Sequence, residues 1–320
     1  MSFKLKLPEL CKKIHASGKK PKLILVQVPE GLKPQGKEIA EFLERELGAS
    51  AVLDAEPCFG ACDLAVKDAE MLGADLIVHF GHSDFGVKTR KRVIYWPVEM
   101  EFDLQKVAEK VVIESELRNW RKIELGTTIQ YLQGAKKLEA LLRKKHINAN
   151  AVQVLGCNYS TASKAKAKID GAFYLGSGLF HALGMQFSTP VKVLALNPET
   201  LAVKELDSEK DAYYRKRISQ ISLSSQAKSF GILLSTKPGQ LNIKVALAAK
   251  KLIEEKGRSA VLLSANLLKP EYLLGMHFDA FVNTACPRIA IDDSSNYQKP
   301  VISFKELEIA LGKRKLEEFK

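Results

Sequence analysis

The sequence predicts an α/β fold of three small homologous domains in tandem. Each is a roughly four-stranded parallel sheet with flanking helices, and the three are arranged around a central site. Three observations carry the fold. One strand–helix order recurs three times, with equivalent strands starting roughly 95–110 residues apart. The strands are short unbroken runs of Val, Ile, Leu and Ala, which is how strands covered on both faces of a parallel sheet read. The helical segments carry their apolar residues along one broad stripe, as in Asn242-Ile243-Lys244-Val245-Ala246-Leu247-Ala248-Ala249-Lys250-Lys251-Leu252-Ile253. One large doubly wound sheet is the alternative. The regular period favours three domains, over residues 1–119, 120–222 and 223–320.

The first block reads as strand 23–28, helix 35–47, strand 51–55, a short helix 64–72, and strands 76–80 and 93–96. The second repeats this as strand 123–129, helix 132–145, strand 151–155, helix 162–168, and strands 172–175 and 191–196. In the third, strand 231–235 leads to helix 242–256, strand 260–264, helix 270–276, and strands 280–283 and 301–303. Gly48 and Gly257 follow the first helix of blocks one and three, where glycine commonly closes a helix. Charged helices near residues 104–120 and 205–219 are expected to link the domains.

The chain has 320 residues, 46% of them hydrophobic and 27% charged, a globular balance rather than a disordered or fibrous one. No uninterrupted apolar stretch approaches the ~18–20 residues of a membrane-spanning helix. The start, Met1-Ser2-Phe3-Lys4-Leu5-Lys6, leads into a charged segment without a signal-peptide apolar region, so a soluble cytoplasmic protein is expected. The net charge of +12 fits a solvated lysine-rich surface, or else nucleic acid or an acidic or RNA-associated protein partner. Its clusters are short: Lys88/Arg90/Lys91/Arg92, Arg143/Lys144/Lys145 and Lys164/Lys166/Lys168. None is interleaved with aromatic residues as a nucleic-acid stacking face would be, and no direct nucleic-acid contact is required.

Five cysteines in such a chain argue against a disulfide framework and leave reduced thiols, metal ligands or catalysis. In parallel α/β sheets, chemistry collects at the carboxyl ends of strands, and one cysteine per block lies there. Cys58 follows the second strand of block one, Cys157 the second strand of block two, and Cys286 the third strand of block three. Three thiolates suit a soft metal centre: a zinc site with one open position, or a [4Fe–4S] cluster with one iron free. Three unrelated buried cysteines is the other reading, since these spacings match no short metal motif. Cys58 and Cys62 form C-x-x-x-C, but Ala65 stands where the usual radical S-adenosylmethionine run needs its third cysteine. Cys62 is therefore expected to be a packing residue, and Cys11, in a basic N-terminal helix, a structural one.

The residues around these cysteines are informative as whole segments. They are Val28-Pro29-Glu30-Gly31-Leu32, Glu56-Pro57-Cys58-Phe59-Gly60-Ala61-Cys62-Asp63, Gly156-Cys157-Asn158, Gly176-Ser177-Gly178-Leu179-Phe180-His181 and Asn283-Thr284-Ala285-Cys286-Pro287-Arg288-Ile289-Ala290. With them the chain resembles, over essentially its whole length, the archaeal diphthamide-synthesis enzymes, the 2-(3-amino-3-carboxypropyl)histidine synthases. The resemblance implies a [4Fe–4S] cluster held by Cys58, Cys157 and Cys286, and a noncanonical radical use of S-adenosylmethionine as cosubstrate. It further implies transfer of the 3-amino-3-carboxypropyl group to the imidazole C2 of a histidine in translation elongation factor 2, with release of methylthioadenosine. A homodimer and an electron donor of unknown identity are implied as well.

For the supporting residues, Gly176, Ser177 and Gly178 fit close backbone approach to S-adenosylmethionine, or a plain turn. Arg288 fits a bidentate hold on the cosubstrate carboxylate, or a surface ion pair. His82 follows a strand and is a candidate proton acceptor when the substrate imidazole regains aromaticity, and His181 closes the Gly-Ser-Gly segment; an ordinary hydrogen-bonded histidine is the alternative for each. His79 lies inside a strand, and Glu30, Gln35 and Asp292 lie on loops without a definite role. Two other functions compete: a quinolinate-synthase-like iron–sulfur enzyme with the same three-domain plan, and a basic RNA- or ribosome-associated module with incidental thiols.

Overall fold

The computed structural model describes residues 3–154 and 168–319. The chain divides into two compact units, Met1–Leu206 and Asp207–Lys320. Among the described residues, no helix is long and apolar enough to cross a membrane.

The first unit begins with β1 (Phe3–Lys4), α1 (Leu7–Ala16), β2 (Leu23–Gln27), α2 (Gly36–Leu47), β3 (Ser50–Leu53) and α3 (Val66–Met71). After them come β4 (Leu76–Phe80), β5 (Arg92–Trp96) and β6 (Glu99–Met100). Four strands form a parallel sheet in the order β3-β2-β4-β5, while β1 and β6 pair as a separate antiparallel ribbon. β2 is apolar without alternation because both of its faces are covered. Ile24 and Val26 pack with Leu10 and Ile14 of α1 and Ile39 and Leu43 of α2. Leu25 packs the other way, with Leu64, Ala69 and Ile77. Gly48 closes α2 at φ 59°, a left-handed backbone that costs glycine little, and its N–H donates to the Glu44 carbonyl.

The same unit continues through α4 (Leu104–Glu116), β7 (Lys122–Thr127), α5 (Ile129–Arg143), β8 (Asn148–Gln153) and β9 (Gly171–Leu175). It closes with α6 (Phe180–Ser188), β10 (Val193–Leu196) and β11 (Val203–Glu205). This sheet runs β11-β10-β9-β7-β8 and is parallel except for β11, an antiparallel edge strand. The expected linker near residues 104–120 is a packed element. Asp103 caps α4 by accepting from the Gln105 and Lys106 amides, and Val107, Ala108 and Val111 join the core of the second sheet. The expected helix 162–168 lies almost wholly outside the described residues.

The second unit comprises α7 (Asp207–Ser225), β12 (Ser229–Ser235), α8 (Ile243–Glu255), β13 (Ser259–Ala265) and β14 (Ala280–Asn283). It ends with α9 (Pro287–Ile291), β15 (Val301–Ser303) and α10 (Phe304–Ala310). Its sheet is parallel throughout, in the order β13-β12-β14-β15. The helix expected at 270–276 is only a 3-10 turn, Pro270–Leu273. α7 packs against β15 and α10, so the second expected linker belongs to this unit.

All three sheets place their first four strands in the sequence second, first, third, fourth. A carboxylate repeats with them. Just before the third strand of each block, Asp75, Asp170 and Asp279 each accept two backbone amides from the entry to the first strand. Those amides hold Asp75 and Asp170 below the ordinary carboxylate range, and Asp279 is held down by the Ser229 hydroxyl together with its two amides. A depressed carboxyl contributes stability above its unfolded value, about pH 4, and loses it as pH falls through the folded value. Asp279→Asn is therefore expected to lower stability at neutral pH and to flatten the acid limb of a pH–stability curve. Solvent screening at this exposed site keeps the loss small. An unchanged acid limb would show that the three carboxylates do not tie their strands.

Candidate active site

Cys58 is buried in the loop that follows β3. Its Sγ lies 4.0 Å from the Gly60 carbonyl, and the loop then turns through a 3-10 segment, Ala61–Asp63, that carries the half-buried Cys62. Beside this loop, the carboxyl ends of β2 and β4 bring a polar pair into the buried centre of the sheet. The parallel register sets Gln27 directly across from His79, and both are buried.

The Gln27 amide can be oriented from its backbone partners. Its Oε1 accepts from the Ala65 amide at 3.2 Å, and its Nε2 donates to the Asp63 carbonyl at 2.8 Å. His79 Nδ1, 2.7 Å from that same Oε1, must therefore be the protonated nitrogen and donate. His79 Nε2 is then an acceptor, and the nitrogen 3.0 Å away, His82 Nδ1, donates to it. By elimination, neutral His82 carries its lone pair on Nε2. Burial keeps both rings neutral. It pushes His79 down to about 3, with help from His82, and His82 down to about 4 against a raising contact with the Phe80 carbonyl. One ligand atom each from Cys58, His79 and His82 lie within 4.8 Å of one another.

The loop after β4 is fixed from α5 and β8 of the same unit. Gln130 Nε2 donates to the Gly81 carbonyl at 2.7 Å, and Gln153 Nε2 to the Ser83 hydroxyl at 2.6 Å. Gly176, Ser177 and Gly178 follow β9. A Cβ on Gly176 would come 2.8 Å from the Tyr174 hydroxyl, so the close approach at that glycine is to the chain itself. Gly178, at φ 75°, has open space around it. His181 stacks on Tyr174 with ring centres 5.9 Å apart, and its charge when protonated would oppose protonation of His82.

In the second unit, Cys286 follows β14 and stands at the start of α9. Asn283 holds it in place: its Nδ2 donates to the Cys286 carbonyl at 2.8 Å, and its Oδ1 accepts from the Ala285 amide at 3.1 Å. The following turn is anchored by Arg217, whose guanidinium donates to the Ala290 carbonyl at 2.6 Å. Arg288 pairs with Asp292 at 2.7 Å on the surface. Cys157 lies outside the described residues. Cys11 is buried in α1 among Leu7, Leu10 and Ile14, and burial pushes its thiol up, which disfavours the thiolate.

The structure thus brings Cys58 and His82 together and joins to them Gln27 and His79. Their signal in the sequence was a polar residue inside each of two buried strands.

These features define an α/β protein with thiols at the carboxyl ends of parallel strands and a neutral imidazole pair beside one of them. Such loops are where this class of sheet binds cofactor and substrate. The chain belongs to the diphthamide synthesis protein family, whose model matches residues 28–320, and it is an enzyme of that family. It is 36% identical over 321 residues to the 2-(3-amino-3-carboxypropyl)histidine synthase of Pyrococcus horikoshii, covering 97% of this chain and 91% of the relative. To the enzyme of the same name in Methanocaldococcus jannaschii it is 29% identical, over 97% of this chain and 90% of that one. The crystal structure of Dph2 from Pyrococcus horikoshii with a 4Fe-4S cluster superposes with a TM-score of 0.87 at 34% identity, covering 98% of this chain and 92% of that one.

Proposed function

We propose that this chain transfers the 3-amino-3-carboxypropyl group of S-adenosylmethionine to the imidazole C2 of a histidine in translation elongation factor 2. The transfer is a radical reaction that releases methylthioadenosine. The observation that carries the reading is near-full-length similarity to synthases of that name, with a cluster-bound Dph2 among the similar solved structures, in a chain whose Cys58 and Cys286 follow parallel strands. Cys58, Cys157 and Cys286 are the thiols we assign to a [4Fe–4S] cluster. The donor set fits: Cys58 and Cys286 each stand in a loop leaving the carboxyl end of a parallel strand, where hydrogen bonds fix the backbone. When bound, the cluster supplies the electron that cleaves the sulfonium, takes one back at the end, and offers the methionine end an iron without a cysteine.

The chain's own groups orient and protect. Addition at C2 leaves the acceptor ring with one hydrogen too many, and aromaticity returns when that carbon loses a proton and one electron. His82 Nε2, held neutral with its lone pair available, is the acceptor we assign for the proton. Gln27 and His79 are positioning residues that select this tautomer. Three domains, one sheet each, remain our reading of the architecture, and we assign the protein to the cytoplasm as a homodimer.

The test is anaerobic: reconstituted protein, dithionite, S-adenosylmethionine and archaeal elongation factor 2, read by intact mass of the factor. The expected result is a gain of one aminocarboxypropyl group in place of hydrogen. His82→Gln is expected to keep its iron and still release methylthioadenosine, while modifying the factor about a hundredfold more slowly or worse. Methylthioadenosine without modification of the factor would overturn the acceptor, and neither product from an iron-loaded protein would overturn the reaction.

A further inference from the structure

The Cys58–His79–His82 group has the makings of a second kind of metal site. A tetrahedral zinc has Zn–S near 2.3 Å and Zn–N near 2.0–2.1 Å, which puts neighbouring ligand atoms about 3.3–3.8 Å apart. Here the three ligand atoms lie within 4.8 Å of one another, and the two ring nitrogens are 3.0 Å apart, so small side-chain adjustments suffice. The chemistry of those nitrogens is also set. Gln27 Oε1 keeps the proton of His79 on Nδ1, so the Nε2 lone pair points at His82. A histidine ligand normally has its other nitrogen tied to an acceptor in this way, and here that acceptor is locked by Ala65 and Asp63. His82 needs only to move its proton from Nδ1 to Nε2, with no change of charge, to present a second lone pair to the same point.

We propose that the chain, before it carries a cluster, binds one thiophilic divalent cation such as Zn²⁺ through Cys58 Sγ, His79 Nε2 and His82 Nδ1, with solvent as fourth ligand, and that this binding excludes cluster assembly. The exclusion rests on our assignment of Cys58 to the cluster; the cation site does not. The step balances: the Cys58 thiol releases one proton, both imidazoles bind neutral, and the site gains a net single positive charge. Sulfur and imidazole together select zinc, cobalt or copper over magnesium and calcium. The cation replaces the proton shared between His79 and His82, so the arrangement assigned to proton acceptance in the loaded enzyme cannot form while it is bound.

The experiment uses the full-length, cluster-free protein, prepared anaerobically with a chelator that is then removed. Zn²⁺ is titrated against a chromophoric competitor, and Co²⁺ is added separately to read thiolate-to-cobalt absorbance. One equivalent is expected to bind. Binding should weaken at least tenfold in Cys58→Ser, His79→Gln and His82→Gln, and stay unchanged in Cys62→Ser, Cys157→Ser and Cys286→Ser. Circular dichroism checks that the variants fold, and His82→Gln, at a half-buried position, keeps the test alive if His79→Gln does not. Zinc added first should block later iron and sulfide uptake in the wild type and not in His82→Gln. The proposal falls if no stoichiometric binding is seen. It falls equally if Cys286→Ser or Cys157→Ser loses zinc while both histidine variants keep it, because the cation would then sit on the three cysteines. Iron uptake unaffected by bound zinc overturns the exclusion. Iron retained in Cys58→Ser would instead overturn the cluster assignment, whatever zinc does.

Discussion

Alanine in place of Cys58, Cys157 or Cys286 is expected to abolish the modification of elongation factor 2, each substitution as completely as the others. On our assignment the centre has three thiolates and no spare ligand, because its fourth position is kept for the cosubstrate. Removing any sulfur therefore removes the site rather than weakening it. Cys286→Ala is the most informative, since Cys286 sits in a different unit from Cys58 and follows a different strand of its block. The substitution itself is mild. Cysteine to alanine deletes one atom, and the backbone of the Cys286 loop is held by Asn283 through main-chain groups that alanine retains. Iron content, cluster absorbance and product mass should fall together while the unfolding transition hardly moves. Cys62→Ala and Cys11→Ala should keep full iron. For Cys11 the reason is burial among the apolar residues of α1, and for Cys62 it is its place in the short 3-10 segment after the Cys58 loop, apart from the three thiols we assign to the cluster. Iron lost from Cys62→Ala would redraw the ligand set.

What the sequence made legible follows from what each signal depends on. Leu23–Gln27 and Ser229–Ser235 read as strands because burial on both faces demands nearly unbroken apolar runs, a local property of the chain. The strand-end positions of Cys58 and Cys286 were legible because the carboxyl end of a strand can be counted off from the strand itself. β11 was missed because three residues paired antiparallel on an edge carry no pattern of their own. The 3-10 turn Pro270–Leu273 imitated a helix because its one turn begins with the proline that also opens helices. Gln27 and His79 are the instructive case. They are 52 residues apart in the chain, and they meet only because β2 and β4 are neighbours in one particular register. Neither strand order nor register can be read from either segment alone. His79 therefore looked like an ordinary strand residue until the sheet placed a polar side chain beside it.

The second large effect is expected at Arg217, which the sequence reading placed in a linker. Its side chain is 1% exposed, and Glu306, its partner, is 3% exposed. The guanidinium makes a two-pronged contact with that carboxylate, Nε to Oε1 at 2.7 Å and an amino nitrogen to Oε2 at 2.6 Å. It also donates to the carbonyls of Ala290 and Val301. Arg217→Met leaves a buried carboxylate without its counter-charge and two carbonyls without a donor, a loss of about 3–5 kcal/mol. Glu306→Leu should cost a comparable amount by stranding the guanidinium. In the double variant no charge is buried, so its loss should be well below the sum of the singles, and the difference measures the coupling. It will not return to wild-type stability, because the Ala290 and Val301 carbonyls stay unpaired and α10 loses its capping box, in which Glu306 accepts from the Ser303 amide. Denaturant unfolding of the three variants, followed in the full chain, gives these values. Iron content should follow the carbonyl contacts rather than the charges, since Ala290 lies in the turn that Cys286 opens. A double variant that regains part of its stability but holds its iron poorly would show that Arg217 acts through the backbone on Cys286, the thiol we assign to the cluster. One that recovers both would confine the pair to the core of the second unit.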